Sequence, residues 1–375
     1  MKNVTQRLLN SGLSLTGWLL LTHLLVLASP VGLVRGQDVA DPPEAKVEEK
    51  ADDQAEEKVE DQSKDQAKDP VAGDSQDAPK AVGPKIIYEN SVETRWKIGT
   101  KIVTGSGRAT DVLITFPVPS NWPEQSVTII EREIPVEIGN VNSRKLSAGV
   151  QQVVVQFPAV PANDAVEISY TLDIVNRVME APEETQAFVF PKHTSRDVKP
   201  FLVASKHVNH KSSKLRKKAK EIIADHEFAW DQTEAIYDWV RENIQIQETR
   251  FHSAQHTLKN LSGTNEDKTF LFVALCRSAK IPSRIVFAKG SSYAEFMLAG
   301  PDGKELHWFP CDVSGVREFG GLSEPRLILQ KGDGFKVPEE KYAQKYVAEH
   351  VSCKGTVRPR VGFFRAEIFE DEQQE

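Results

Sequence analysis

Cysteine is scarce in this 375-residue sequence, which contains only Cys276, Cys311 and Cys353. Three cysteines exclude a disulfide framework, and the odd number leaves at least one thiol free or paired between chains. Whether two of them form a bridge stays open. Long apolar runs are also lacking beyond residue 36, where no stretch approaches the ~20 residues of a spanning helix. No glycine-rich phosphate loop follows a strand, and GSG at 105–107 is typical of a turn.

The first 36 residues are predicted to be a secretory signal peptide. Lys2 and Arg7 supply a positive start, and residues 13–28 are apolar but interrupted by polar residues. Small residues and a plausible cleavage site at 34–36 follow. An uncleaved anchor is the alternative, which the short apolar run disfavours. The sequence therefore predicts an exported protein, periplasmic or secreted.

Residues 37–85 have a different composition from the rest of the chain. They contain fifteen Asp or Glu residues, seven Lys residues and no aromatic residue. Such a segment buries too little apolar surface to offset the entropy of ordering, so we predict a disordered acidic linker. The chain carries a net charge of −7, and its acidity lies in this linker and in the tail at 366–375. The near-neutral remainder does not indicate a nucleic-acid partner.

Residues 86–178 are predicted to form a β-sandwich domain. The stretches VTIIEREIPVEI, VQQVVVQF and AVEISYTLDIV alternate with a period of two and are rich in Val, Ile and Thr. FPVPSNWPE and PANDA punctuate them as turns. About seven short strands fit this segment.

Two amphipathic helices are predicted next. SSKLRKKAKEIIAD begins with a serine cap at Ser212 or Ser213, and its Lys and Arg residues favour a solvated polar face. DQTEAIYDWVRENIQIQ is predicted to begin at a cap on Asp231.

A third and central helix is predicted within GTNEDKTFLFVALCRSAKIPSR, residues 263–284. Glu266 and Asp267 lie in its first turn, where carboxylates favour the helix dipole. A dense apolar run follows, which indicates burial. The next residues predict three strands, the last two joined by a hairpin with Asp302-Gly303 in its turn. The fold class is therefore α+β.

The second half of the chain resembles the transglutaminase-like family of the papain-type, cysteine-protease-like superfamily. The resemblance rests on AIYDWVRENIQI, LFVALCRSAKIPSRIV and HWFPCD, with Lys280 and His307 in place of two family glycines. It implies a transglutaminase-like (papain-like) α+β domain at 201–330, with the central helix packed on an antiparallel sheet. The β-sandwich precedes this domain, and residues 331–375 form a C-terminal extension with an acidic tail.

The family's Cys-His-Asp triad is only partly present. The resemblance places the cysteine position at Asn265, the histidine position at Ser291 and the aspartate position at Asp312. Because asparagine is a good N-cap, we predict that Asn265 caps the central helix, although a carboxamide forms no acyl intermediate. Serine is no general base near neutral pH. The resemblance thus implies a degenerate site without catalysis. Its expected cleft neighbours are Tyr293, Glu295 and Trp308.

Other residues offer little replacement chemistry. Cys276 is predicted to lie on the apolar side of the central helix, and Cys311 on the strand face opposite Asp312. His252 and His256 precede the helix, but no thiol accompanies them. His207 and His210 have ligand spacing without a cysteine or carboxylate cluster, so we expect neither a metal nor a cofactor.

Three function classes remain. The leading hypothesis is a pseudoenzyme that binds a peptide or protein ligand in the degenerate cleft. The alternatives are an active thiol acyl-transferase or peptidase with a relocated nucleophile, and a purely structural envelope protein.

Overall fold

The computed structural model describes residues 85–135, 140–192, 195–196, 198–247, 250–355 and 358–369. The predicted signal peptide, all but the last residue of the predicted linker and the end of the tail lie outside these ranges. The described chain is mixed α/β and rich in strands.

Six strands occupy the first part of the described chain. They are β1 (Tyr88–Val103), β2 (Ala109–Val118), β3 (Gln125–Glu133), β4 (Asn140–Lys145), β5 (Gln151–Val160) and β6 (Ala165–Met179). β1 and β6 are long and pair antiparallel over most of their length, with an irregularity between Glu89 and Val92. The predicted alternation is visible in β6, where Ile168, Tyr170, Leu172 and Ile174 are buried.

The strands β14 (His350–Gly355) and β15 (Arg360–Ile368) come from the end of the chain but pair with the first strands. The two resulting four-stranded sheets have the orders β15-β1-β6-β3 and β14-β2-β5-β4. Their inward side chains, among them Trp96, Ile114 and Phe157, belong to one hydrophobic cluster. The sequence patterns predict about seven strands within 86–178 and none at the end of the chain, whereas the structure has six in the described part of that segment and β14 and β15 at the end. The predicted domain boundaries stay predictions.

Four α-helices follow the first six strands in the described chain. They are α1 (Ser213–Ile222), α2 (Ala229–Asn243), α3 (Ala254–Asn260) and α4 (Asn265–Ser278). α1 begins after Ser212, as expected, whereas α2 begins two residues before Asp231, with Phe228 at its N-cap. Short strands β7 (Gln245–Ile246) and β8 (Ser262–Gly263) pair in parallel beside α3. No helix within the described ranges combines the length and apolar character needed to cross a membrane.

The helix α4 packs against a five-stranded antiparallel sheet. Its strands are β9 (Ser283–Ala288), β10 (Ser291–Ala299), β11 (Leu306–Asp312), β12 (Glu318–Phe319) and β13 (Ile328–Lys331), in the order β12-β11-β10-β9-β13. α4 is buried from Asp267 to Arg277 and shares a hydrophobic cluster with Phe296 and Phe309 of the sheet. The predicted central helix on an antiparallel sheet, and the hairpin between β10 and β11, are confirmed.

Candidate functional site

The N-terminus of α4 is capped by Thr264 rather than by Asn265. The Thr264 hydroxyl accepts a hydrogen bond from the Asp267 backbone N–H at 3.1 Å, and the Asp267 carboxylate accepts from the Thr264 N–H at 2.9 Å. This reciprocal pair is a capping box. The prediction of an Asn265 cap is therefore wrong, because the extended backbone that a cap requires belongs to Thr264 (φ −72°, ψ 171°).

Asp267 joins the start of α4 to the loop that precedes α3. Its buried carboxylate also accepts from the His252 backbone N–H at 2.6 Å. The residue beside it must be small, because a Cβ at Gly263 would lie 2.7 Å from the Cβ of Asp267. Thr264 and Asp267 therefore fix the position of the first turn of α4.

A groove of about 440 Å³ opens at this end of α4. Its walls include Asn265, Ser291 and Ser314, so the structure brings together two of the three predicted triad positions. The remaining walls, which complete what we call the α4 groove, are Phe251, Thr264, Glu266, Phe287, Gly290 and Ser292. The Thr269 hydroxyl bridges the helix to β10 by reaching the Asn265 carbonyl at 3.1 Å and the Ser292 carbonyl at 3.5 Å.

Asp312, the third predicted triad position, is hydrogen-bonded to Ser314 and Arg326. Its Oδ1 accepts from the Ser314 backbone N–H at 2.9 Å and from the Ser314 hydroxyl at 2.6 Å, and its Oδ2 accepts from Arg326 at 2.7 Å. Burial alone would raise the pKa of this carboxyl, but the hydrogen bonds from Ser314 and Arg326 hold it below its usual value. Asp312 therefore anchors the loop after β11, and both of its oxygens are occupied.

None of the three thiols lines the α4 groove. Cys276 and Cys311 are fully buried in the cluster between α4 and the sheet, where burial raises the pKa of both thiols well above the usual value. Cys353 lies on β14 and packs against the cluster of the two four-stranded sheets. All three are free, so no disulfide forms among them.

The expected cleft neighbours Tyr293, Glu295 and Trp308 line a different cavity, on the face of the sheet away from α4. Strand alternation places them on the same face as Ser291 and Asp312. However, only Ser291, at the exposed start of β10, reaches the α4 groove. The second cavity has a volume of about 700 Å³.

An ion-pair network beneath this second cavity was not predicted. Glu295 accepts from Arg284 Nε and from Lys331 Nζ, both at 2.5 Å, and Lys331 also pairs with Glu124. Burial raises the pKa of Glu295, but Arg284 and Lys331 outweigh it and hold the pKa below its usual value. The network joins the first sheets to the five-stranded sheet. No local sequence signal announces it, since Glu124 and Lys331 are about 200 positions apart.

The histidines within the described ranges are not arranged as metal ligands. The rings of His252 and His256 stack in parallel with their centroids 4.2 Å apart. The His207 ring packs edge-on against Phe251, and burial lowers the pKa of both His207 and His210. Across the ranges that the structure covers, no three His, Cys, Asp or Glu side chains are grouped as they would be around a metal ion.

The chain is similar to one protein-family model and to solved structures of two bacterial proteins. Residues 216–313 match the model of the transglutaminase-like superfamily, which confirms the resemblance seen in the sequence. A candidate cysteine protease from Cytophaga hutchinsonii is similar in structure (TM-score 0.51, 18% identity) over 76% of this chain and 94% of its own. A candidate protease from Parabacteroides distasonis matches at a TM-score of 0.25 and 11% identity, over 59% of this chain and 43% of its own. No curated protein matches the sequence. At such identities the structural likeness concerns the fold alone.

Proposed function

We propose that this chain, whose residues 216–313 form a transglutaminase-like domain, is a pseudoenzyme that binds a peptide or protein segment in the α4 groove. The observation that carries the proposal is the absence of a thiol from that groove. The chain has only three cysteines, all within the described ranges, and none of them lies there. A family that works through a cysteine at the start of this helix would here have only Asn265.

The other triad positions support the same conclusion. A carboxamide nitrogen is delocalised and makes no acyl intermediate, and the Ser291 hydroxyl takes no proton near neutral pH. The Asp312 oxygens are held by Ser314 and Arg326, so they would not orient a histidine. The site has therefore lost the nucleophile, the base and the partner that would orient the base.

The α4 groove retains features suited to a peptide. The hydroxyls of Ser291, Ser292 and Ser314 offer donors and acceptors for a peptide backbone, and Phe251 and Phe287 offer apolar contact. Thr264 and Asp267 hold the helix end that forms one wall. Because the groove is built on a helix and a strand, it needs little rearrangement on binding.

The alternative of an active thiol enzyme is disfavoured by the positions of the cysteines. A nucleophilic thiol requires a lowered pKa and access to the substrate. Cys276 and Cys311 are fully buried, and burial raises the pKa of each. A purely structural protein, the remaining alternative, would bind no ligand in the groove.

Peptide display tests the proposal. The full-length protein is used to select from a phage library of random 12-residue peptides, and the selected peptides are then measured by fluorescence anisotropy. Ser291→Trp, which fills the groove, is expected to abolish binding. The matched control Ser352→Trp, at an exposed serine on β14, is expected to bind as the wild type does. Failure to enrich any peptide, or equal binding by both variants, would contradict the proposal.

We also propose export, supported by the composition of residues 1–36, and a β-sandwich arrangement of the two four-stranded sheets, supported by their shared hydrophobic cluster. N-terminal sequencing of the protein recovered from the cell envelope or medium tests the first. A sequence beginning near Gln37 is expected, whereas an intact Met1 would contradict cleavage. An experimental structure of residues 85–369 tests the second.

A further inference from the structure

The 700 Å³ cavity behind the five-stranded sheet has the properties of a small-molecule site. It lies between the first sheets, which contribute Tyr88 and Arg177, and β9–β11, which contribute Arg284, Tyr293 and Trp308. Ligand sites are commonly cavities of about 300–1,000 Å³ with mostly apolar walls and a few convergent polar groups. The cavity shares no residue with the α4 groove.

Two buried side chains present hydrogen-bond donors to this cavity without a protein partner. Arg284 is 94% buried and donates from Nε to Glu295, but its Nη1 and Nη2 make no hydrogen bond with any described residue. Tyr293 is 98% buried, and its hydroxyl likewise has no partner among the described residues. Burial raises the pKa of Tyr293 well above the usual value, so this hydroxyl remains a donor near neutral pH. These donor atoms face solvent-accessible space in the cavity, where a bound ligand can supply their acceptors.

The geometry of Arg284 fits a planar anion. Its guanidinium lies 3.9 Å from the centroid of the Trp308 ring, which fixes the plane of the fork. With Nε occupied by Glu295, the two Nη atoms form the free end of that fork. A carboxylate accepts two parallel hydrogen bonds from such a pair.

Four cations line the cavity, Lys85, Arg177, Arg284 and Arg326, against three carboxylates, Glu124, Glu295 and Glu305, so the lining carries one net positive charge. Arg326 is paired with Asp312 and Glu318. Glu295 and Glu124 are matched by the cations of Arg284 and Lys331. Arg177 also lines the cavity and contacts the Ser126 hydroxyl at 3.1 Å, but it has no carboxylate partner among the residues that the structure describes. A bound carboxylate would therefore meet one uncompensated guanidinium in addition to the fork of Arg284.

We propose that this cavity binds a small carboxylate with an apolar body, whose carboxylate is held by the Nη atoms of Arg284 and by the Tyr293 hydroxyl. Arg177 supplies the balancing charge. The apolar body packs against Ile86, Met179, Leu322 and Ile328, which belong to the apolar part of the wall. This site is separate from the α4 groove, so its test does not depend on the proposed peptide binding.

Ligand-observed saturation-transfer NMR with the full-length protein tests the proposal. The probes are hexanoate, octanoate and 4-phenylbutyrate, each at about 1–5 mM and each compared with its primary amide. At least one carboxylate is expected to bind, with its amide at least about tenfold weaker, because the amide cannot form the charged pair. If no carboxylate binds, or if the amides bind equally well, the proposal is overturned.

Variants then locate the binding site. Arg284→Lys keeps a cation beside Glu295 but removes the fork, and it is expected to weaken carboxylate binding about tenfold or more. If this variant does not fold, Tyr293→Phe and Arg177→Gln test the same site, and each is expected to weaken binding several-fold. The matched control Arg360→Gln, at an exposed arginine on β15, should bind normally. Unchanged binding in both Tyr293→Phe and Arg177→Gln would place the carboxylate elsewhere and overturn the assignment.

Discussion

The two ends of α4 differ in what they retain. At the N-terminal end lies Asn265, where the sequence resemblance predicts the family's cysteine position. It is exposed, and its side chain makes no hydrogen bond with the described residues. At the C-terminal end, Arg277 is buried and bonds the carbonyls of Val203 and Ser283 and the carboxylate of Asp333. The hydrogen bonds at both ends hold the helix in place: those of Thr264 and Asp267 at the N-terminus, and those of Arg277 at the C-terminus.

The C-terminal end of α4 closes with a regular helix-ending turn, although a lysine occupies the position that favours glycine. The Ile281 N–H bonds the Cys276 carbonyl and the Lys280 N–H bonds the Arg277 carbonyl, which together make a Schellman motif. Lys280 occupies its left-handed position (φ +65°), where glycine is favoured. The comparison teaches that the described contacts of α4 serve packing and positioning, and that the side chain of Asn265 takes no part in them.

The largest effect on this comparison is expected from Arg277→Met. The substitution leaves the buried Asp333 carboxylate without its guanidinium, and breaking a buried pair from one side costs about 3–5 kcal/mol. Urea unfolding followed by tryptophan fluorescence measures the loss. Arg360→Met, at an exposed arginine, serves as the control and should change the free energy of unfolding by less than about 0.5 kcal/mol. A loss below about 1 kcal/mol for Arg277→Met would refute the structural role of that end.

A smaller loss is expected at the other end from Asp267→Ala. The change removes acceptors from the backbone N–H groups of His252 and Thr264, so we expect the free energy of unfolding to fall by about 2–3 kcal/mol. The neighbouring Glu266→Ala breaks only a partly exposed pair with Lys345 and should cost about 1 kcal/mol or less. Equal losses in the two variants would mean that the capping box does not hold the helix end.

A gain in stability is expected from Lys280→Gly. Left-handed backbone is strained for residues other than glycine, so the substitution should raise the free energy of unfolding by about 0.5–1 kcal/mol. Lys280→Ala keeps the strain and should leave the stability nearly unchanged. Thermal and urea unfolding of the three proteins would decide this, and destabilisation by glycine would speak against the left-handed turn.

The smallest effect is expected from Asn265→Ala. Since Thr264 is the cap, removal of the Asn265 carboxamide should change the free energy of unfolding by less than about 0.5 kcal/mol. Thr264→Ala should cost about 1 kcal/mol. If the two results were reversed, Asn265 would be the cap after all.

Several elements of the fold can be predicted from short stretches of the sequence. The apolar run after Asp267 predicts the central helix, and the strand patterns with Asp302-Gly303 between them predict the β10–β11 hairpin. Thr264 and Asp267 have the spacing of a capping box in the sequence. The prediction placed the cap one residue later, at Asn265, because it followed the alignment with the family's cysteine.

Other features depend on contacts that local patterns do not specify. β15 pairs with β1, which lies more than 250 positions earlier, so the residues around β15 do not indicate its partner strand. Alternation along β10 correctly places Tyr293 and Glu295 on one face, but it does not say what covers that face. The ion pairs of Asp312 with Arg326, and of Glu295 with Lys331, likewise come from tertiary structure.

The most direct test of the central claim is thiol labelling of the native full-length protein by a mild electrophile near neutral pH. Each cysteine is mapped by mass spectrometry, with the urea-unfolded chain as reference. We expect Cys276 and Cys311 to be protected in the native state and Cys353 to react no faster than in the unfolded chain. If any one of the three reacted many times faster than in the unfolded chain, the protein would hold an activated thiol and the pseudoenzyme proposal would be contradicted.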